Sequence, residues 1–333
     1  MKKVGFNFLW MYSYHKEGMK PNHPMLNELD FVADEGFNFV RLPIDYHFLL
    51  KNGDADKFEI DEEGVAYIDE YIEECNKRGL HFNLNIHRAP GYCINSPERE
   101  KTNLWRDETP LQQFASLWTM FAKRYHGINS EKLSFDLVNE PANLPPTHPC
   151  TIPDYDRVMR HVIAEIRKVT PDRVIAIDGF NGGGTAIPEL ADADVIHSGR
   201  GYEPFHITHY KAEWVKGSDT WELPQYPGEV SKGIFKDINT LREFYKPWQD
   251  LEKMGVTVHM GECGIYNKLP NELAIRWFED LITVFNENNW GYALWNFKGT
   301  FGIVEHNRPN TEYTEIKGLK VDKKMLDLMK TSI

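Results

Sequence analysis

The stretch "FDLVNEP" (135–141) carries three apolar residues and one acid (Phe135, Asp136, Leu137, Val138) straight into Asn139, Glu140 and Pro141. Such a run belongs in a core as a buried strand, yet it ends in an amide and a carboxylate with a proline closing it. Extended by two residues, "LSFDLV" (133–138) is one of eight β-type runs. The others are "VGFNFL" (4–9), "NFVRLPI" (38–44), "HFNLNIH" (81–87), "RVIAID" (173–178), "DVIHS" (194–198), "VTVHMG" (256–261) and "GYALWN" (291–296). Between them lie segments of helical period, roughly 24–35, 64–79, 110–126, 153–169, 238–254 and 271–288, with a last one near 321–331. In the second of these Val65, Ile68, Tyr71 and Ile72 form one stripe, and Gly79 sits where a helix stops.

Eight strands alternating with helices predict a parallel sheet with helical crossovers, and eight is the number that closes a barrel. The expected fold is α/β, a single (β/α)8 TIM barrel over residues 1–333. A doubly wound open sheet would want a glycine-rich phosphate turn after its first strand, and "GFNFLWMYS" is not one. "GFNGGGTA" (179–186) is glycine-rich but has neither a Lys-Ser/Thr pair nor GxGxxG spacing, so no phosphate site is expected there. Residues 210–237 lack periodicity, carry prolines and two tryptophans, and are too long for a bare connection. They are read as a functional βα loop over the barrel mouth.

The 333 residues are 41% hydrophobic and 26% charged, the composition of a globular protein. No run reaches the 18 or so apolar residues of a bilayer span, so no membrane partner is expected. A net charge of −12 argues against nucleic acid, which wants a basic stripe. Cys75, Cys93, Cys150 and Cys263 are far apart with no CxxC pair, suggesting neither a disulfide framework nor zinc. The start "MKKVGFNFLW" alternates too early for a signal peptide. The expectation is a cytoplasmic chain, or an exported one whose signal was removed.

In such barrels the reactive groups sit at the carboxyl ends of the strands. Those ends are Arg41 (second), His87 (third), Asn139-Glu140 (fourth), Arg200 and Tyr202 (sixth), Glu262 (seventh) and Trp295 (eighth). Glu140 is thus where the wall stops and a cleft begins. Successive strand residues face opposite ways, so Asn139 and Glu140 can share that cleft only if the strand twists or bulges at its end. Two carboxylates facing each other across a cleft suggest glycoside hydrolysis, and a gap of about 5–5.5 Å would mean retention through a covalent intermediate.

"FDLVNEP" and "MGECG" together resemble the acid/base and nucleophile strands of glycoside hydrolase family 5, cellulase-like retaining glycosidases on a (β/α)8 barrel. "FVRLPI", "IHRAPGY", "YEPFHITHYKAEW" and "ALWNFKG" resemble the family's arginine, histidine, sixth-strand and tryptophan segments, in the family's order. The resemblance implies Glu140 as general acid/base, its pKa raised by the nearby charge of Glu262. It implies Glu262 as nucleophile, kept ionised by Arg41 and oriented by Tyr202. Asn139 would grip the sugar 2-hydroxyl, His87 another hydroxyl, and Trp295 would floor the sugar. Trp214 and His209 belong to the same substrate-binding set. No cofactor and no metal is implied, and the partner is a carbohydrate.

One departure stands out. Where the family has "HYYNPF" this chain has "RGYEPF", so Arg200 replaces a histidine. Arg200 is expected to lower the pKa of either glutamate or to bind an acidic sugar, with His206 or His209 in the missing group's place. Trp10, Trp105 and Trp221 are further candidate sugar platforms. Asp136, Asn83 and Asn85 are read as interior polar packing and Cys263 as filler. The expected activity is a retaining, endo-β-glucanase-like hydrolysis of soluble oligosaccharides. The alternatives are an exo-acting β-glycosidase, with Arg200 and the 210–237 loop closing one end of the cleft, and a sugar-binding barrel without catalysis.

Overall fold

A computed structural model describes residues 2–333. Eight parallel strands close a barrel: β1 (Val4–Asn7), β2 (Phe39–Asp45), β3 (His81–Arg88), β4 (Leu133–Asp136), β5 (Ile175–Asp178), β6 (Ile196–Gly201), β7 (Thr257–Cys263) and β8 (Gly291–Leu294). Each strand pairs with its sequence neighbours and β8 returns to β1. All eight expected strands are present. The runs differ from the ladders mainly at their ends, and β6 and β7 continue past the predicted stop to take in Arg200 and Glu262.

Seven regular helices wrap the barrel: α1 (Leu26–Asp34), α2 (Glu62–Lys77), α3 (Glu108–Arg124), α4 (Ile152–Val169), α5 (Ile238–Lys253), α6 (Asn271–Glu287) and α7 (Lys323–Lys330). In α2 the stripe Val65, Ile68, Tyr71, Ile72 and Cys75 is buried. The Asp61 carboxylate caps its first turn by accepting from the Glu63 N–H at 3.1 Å. α4 opens on a reciprocal capping box between Thr151 and Asp154. After β5 the chain makes only short turns before β6, because Gly182 and Gly183 take positive φ and break a helix at once.

The 210–237 segment is not a bare loop. Its second half folds as an antiparallel hairpin, Gly228–Ser231 with Ile234–Lys236, whose tip exposes Phe235 by 68%. A second hairpin, Tyr313–Ile316 with Leu319–Asp322, follows β8. Register irregularities fall between Ile44 and Asp45, between Gly199 and Arg200, and between Tyr292 and Leu294. All three lie toward the carboxyl ends of their strands, where a local kink re-aims side chains into the mouth.

Candidate active site

Past the β4 ladder the chain stays pinned: the Leu137 N–H donates to Ala176 O at 3.1 Å and the Asn139 N–H to Ile86 O at 3.1 Å. Glu140 then takes φ +50°, a conformation uncommon for any residue but glycine. It is held there by its own N–H on Asp178 Oδ2 at 2.9 Å and by the Tyr92 hydroxyl on its carbonyl at 2.6 Å. This reversal settles how two consecutive residues serve one site. Asn139 is fully buried beneath the mouth, while the Glu140 carboxyl reaches the cleft with 16% of its side chain exposed.

Glu262, near the end of β7, is gripped on both oxygens. Arg41 Nη1 donates to Oε1 at 2.7 Å and the Tyr202 hydroxyl to Oε2 at 3.0 Å. Arg41 is wholly buried and also donates to Asp136 Oδ2 (2.7 Å), Asn7 Oδ1 (2.9 Å) and Asn139 Oδ1 (3.2 Å). These two donors, Arg41 and Tyr202, fix the direction in which the Glu262 oxygens point. The expected inward packing of Asp136, Asn83 and Asn85 is observed, Asn83 on Ser134 Oγ and Asn85 on Asp136 O.

Of the two roles expected of Arg200, the structure shows the contact with the glutamates. Arg200 does not reach for a ligand: its side chain is 3% exposed and every donor is committed to protein. Nε donates to Glu140 Oε1 (2.9 Å). Nη1 donates to Asp178 Oδ1 (3.0 Å), Gly199 O (3.1 Å) and Ser198 Oγ (3.2 Å). Nη2 donates to Asn139 Oδ1 (2.8 Å) and to Asp178 Oδ2. Its Nη2 also lies 3.6 Å from Glu262 Oε1, so one guanidinium spans both glutamates. His206 lies against Trp221, and His209 stacks on Phe205 with Nδ1 at 2.9 Å from Thr208 Oγ1. Neither histidine takes over beside the carboxylates.

Electrostatics acts strongly on Glu140. Burial first, then the charge of Glu262, push the Glu140 carboxyl up to about 7, against the opposing pull of Arg200. Burial pushes His209 down to about 4. His87 is driven well below the usual imidazole range by burial and then by Arg41, Arg200 and Arg88, so it stays neutral.

The mouth is a cleft of about 920 Å³ lined by Glu140, Glu262, His87, Arg200, Tyr202, His209, Trp214 and Trp295 among others. Arg41 and Asn139 lie below its floor. Both ring nitrogens of His87 and Nδ2 of Asn139 are buried without a partner. Asn139 Oδ1 already accepts from two arginines, which fixes the amide so that Nδ2 is the free donor. Trp295, whose peptide to Asn296 is cis, stacks on His87 at 5.4 Å between ring centroids. Trp214 is 57% exposed on the rim. Trp10 and Trp105 are buried among core aromatics and Trp221 packs on His206, so none of these three faces the cleft. The sequence reading passed over Tyr12 and Phe301, which also line the cleft, and Asp178. Asp178 carried a signal: it ends "RVIAID" at a strand's carboxyl end, as Glu262 does in β7.

A closed (β/α)8 barrel with two carboxylates meeting at its carboxyl-terminal mouth, over a cleft with unpartnered polar donors, defines the class of glycoside hydrolases. The family model described as cellulase (glycosyl hydrolase family 5) matches residues 3–300, and the chain belongs to that family. It is similar to Endoglucanase C of Acetivibrio thermocellus, 29% identical over 89% of this chain and 91% of that protein. It is also similar to Cellodextrinase A of Ruminococcus flavefaciens, 28% identical over 79% of this chain and 75% of that one. A solved structure of a glycoside hydrolase, 49% identical, superposes over 100% of this chain and 99% of its own with a TM-score of 0.95. No helix among the described residues is long and apolar enough to cross a membrane.

Proposed function

We propose that this family 5 hydrolase is a retaining enzyme that cleaves β-linked gluco-oligosaccharides internally by double displacement. The supporting observation is the single Arg200 guanidinium, which holds carboxylates from β4 and β7 over one cleft. Glu140, still protonated because it is buried beside Glu262, gives its proton to the leaving oxygen. Glu262 attacks the anomeric carbon and forms a glycosyl ester. Its charge is lost in that step, the Glu140 proton becomes easier to release, and Glu140 then takes a proton from water as the water attacks the ester.

The neutral His87 ring lines the cleft where sugar hydroxyls would bind, Asn139 Nδ2 lies without a partner beneath it, and Trp295 offers a flat floor. Tyr202 steadies Glu262. The sugar class follows the relatives named endoglucanase and cellodextrinase. Internal cleavage is favoured because neither feature invoked for exo action closes the cleft: Arg200 is turned inward, and past Trp214 the 210–237 segment folds away into its hairpin. The test is hydrolysis of aryl β-glycosides and β-glucans alongside a mechanism-based fluorosugar inactivator, with the labelled peptide mapped. Label on Glu262 and early release of fragments are expected. Label elsewhere, or monosaccharides alone from the start, overturns the reading.

A further inference from the structure

The Asp178–Arg200 pair takes no part in the bond changes above, yet after Glu262 it carries the charges that act most on Glu140. Asp178, closing β5, holds Glu140 at two points. Its Oδ2 accepts the Glu140 backbone N–H at 2.9 Å, and both its oxygens bind Arg200, whose Nε donates to Glu140 Oε1 at 2.9 Å. The fold clears room for this arrangement. A Cβ at Gly183 would sit 2.5 Å from Arg200 Cγ, and one at Gly261 would sit 2.5 Å from Ser198 Oγ, itself a partner of Arg200. The glycine-rich turn after β5 thus leaves space for an arginine.

We propose that Asp178 and Arg200 are positioning residues acting as one charge-compensated unit, which aims the Glu140 carboxyl and sets the pH up to which it keeps its proton. The proposal rests on Glu140 being the general acid. An isolated arginine at this distance would hold Glu140 ionised and unable to donate. Several other groups face Glu140. Glu262 comes from β7 and Tyr202 from the loop after β6; behind them Arg41 of β2 binds both Glu262 and Asp136 of β4. His87 and Tyr92 come from β3 and the loop after it, and Tyr12 from the loop after β1.

Among these, Arg41 and Arg200 oppose Asp136, Asp178 and Glu262, which leaves one negative charge while Glu140 is protonated. When Glu262 becomes an ester that charge falls to zero and Glu140 can release its proton. Without the Asp178 charge, the free enzyme would already resemble the intermediate and Glu140 would ionise too early.

The experiment is the pH dependence of kcat/KM, on a substrate with a poor leaving group, for wild type, Asp178→Asn, Arg200→His and the double variant. Protonated Glu140 is the active form, so activity falls as pH rises through its pKa. Asp178→Asn should move that basic limb down by about one pH unit or more, and Arg200→His should move it up. The double variant should return close to wild type, because the two opposite shifts cancel. It also lacks the unpaired buried carboxylate that Arg200→His leaves behind, so it folds even where that single variant does not, and its limb against that of Asp178→Asn then decides.

Shifts in the same direction, or slower variants with an unmoved limb, overturn the proposal. Glu140→Gln separates the two readings. If the basic limb survives in Glu140→Gln, the assignment of Glu140 has failed. If it vanishes there while Asp178→Asn leaves the wild-type limb in place, the charge-compensated unit has failed.

Discussion

The two carboxylates share a cleft but are held by opposite means. Glu262 receives a donor on each oxygen, Arg41 on one and Tyr202 on the other. Glu140 receives Arg200 on one oxygen, and no protein group among the described residues donates to the other. The first environment fixes both oxygens in place, and the second leaves one oxygen open to carry a proton and give it away. The difference teaches that role is set by what surrounds a carboxylate and not by the strand end it stands on, since β4 and β7 present their glutamates at equivalent ends of the same barrel.

The largest effect should come from deleting either group. Glu262→Ala should lose at least about 10³-fold in kcat, because no covalent intermediate can form. Azide sharpens the comparison. With Glu262→Ala and an activated β-glycoside, azide should attack from the emptied side and give the α-glycosyl azide. With Glu140→Ala it should trap the ester on Glu262 and give the β-azide. Identical anomers from both variants would break the assigned asymmetry, and product NMR reads it directly.

Next comes the dependence on the leaving group. Glu140→Gln should slow hydrolysis of an unactivated β-glucoside by about 10²–10⁴-fold, the usual worth of a positioned general acid. It should barely slow formation of the intermediate from a dinitrophenyl glycoside, whose oxygen departs without a proton. Burst kinetics separates that step from its breakdown. Equal losses on both substrates would mean Glu140 does something other than protonate.

The glutamates and Tyr202 were legible in the sequence because each terminates or follows a periodic apolar run, and a barrel turns strand ends into neighbours; Arg41 stands instead at the third position of β2 and reaches Glu262 from below. The barrel itself was legible for the same reason: strands buried on both faces read as short apolar runs. The reversal at Glu140 was foreseen only as a need for a twist or bulge, since nothing in "VNEP" specifies a positive φ. Arg200 was legible as a group able to act on the glutamates but not as one turned away from ligand, because a sequence cannot show that Asp178, 22 positions earlier, saturates it. The 228–236 hairpin was missed because Val230 is its one buried residue while Ile234 and Phe235 are exposed, and a single buried position makes no alternation.

A smaller effect tests the grip on the nucleophile. Tyr202→Phe removes one hydrogen bond to a charged group, worth about 1.5–3 kcal/mol, and should lower kcat/KM by about 10–100-fold. The loss should appear with activated and unactivated leaving groups alike, because it acts on attack and not on protonation. A loss confined to poor leaving groups would move Tyr202 to the Glu140 side of the comparison.

The smallest effect belongs to the rim. Trp295 lies beside the carboxylates and stacks on His87, whereas Trp214 stands 57% exposed and edge-on to Tyr266 at 4.8 Å. A ring that far out can touch only sugar units beyond the one being cleaved. Trp214→Ala should therefore leave an aryl monoglycoside unchanged and raise KM on longer oligosaccharides by about 2–10-fold, the value of one aromatic contact. Because that contact is equally present in ground and transition states, kcat should hold while KM rises. Plotting KM against chain length for wild type and variant locates the subsite at the length where the curves part. Curves that never part would leave internal cleavage without this platform and confine recognition to the sugar over Trp295.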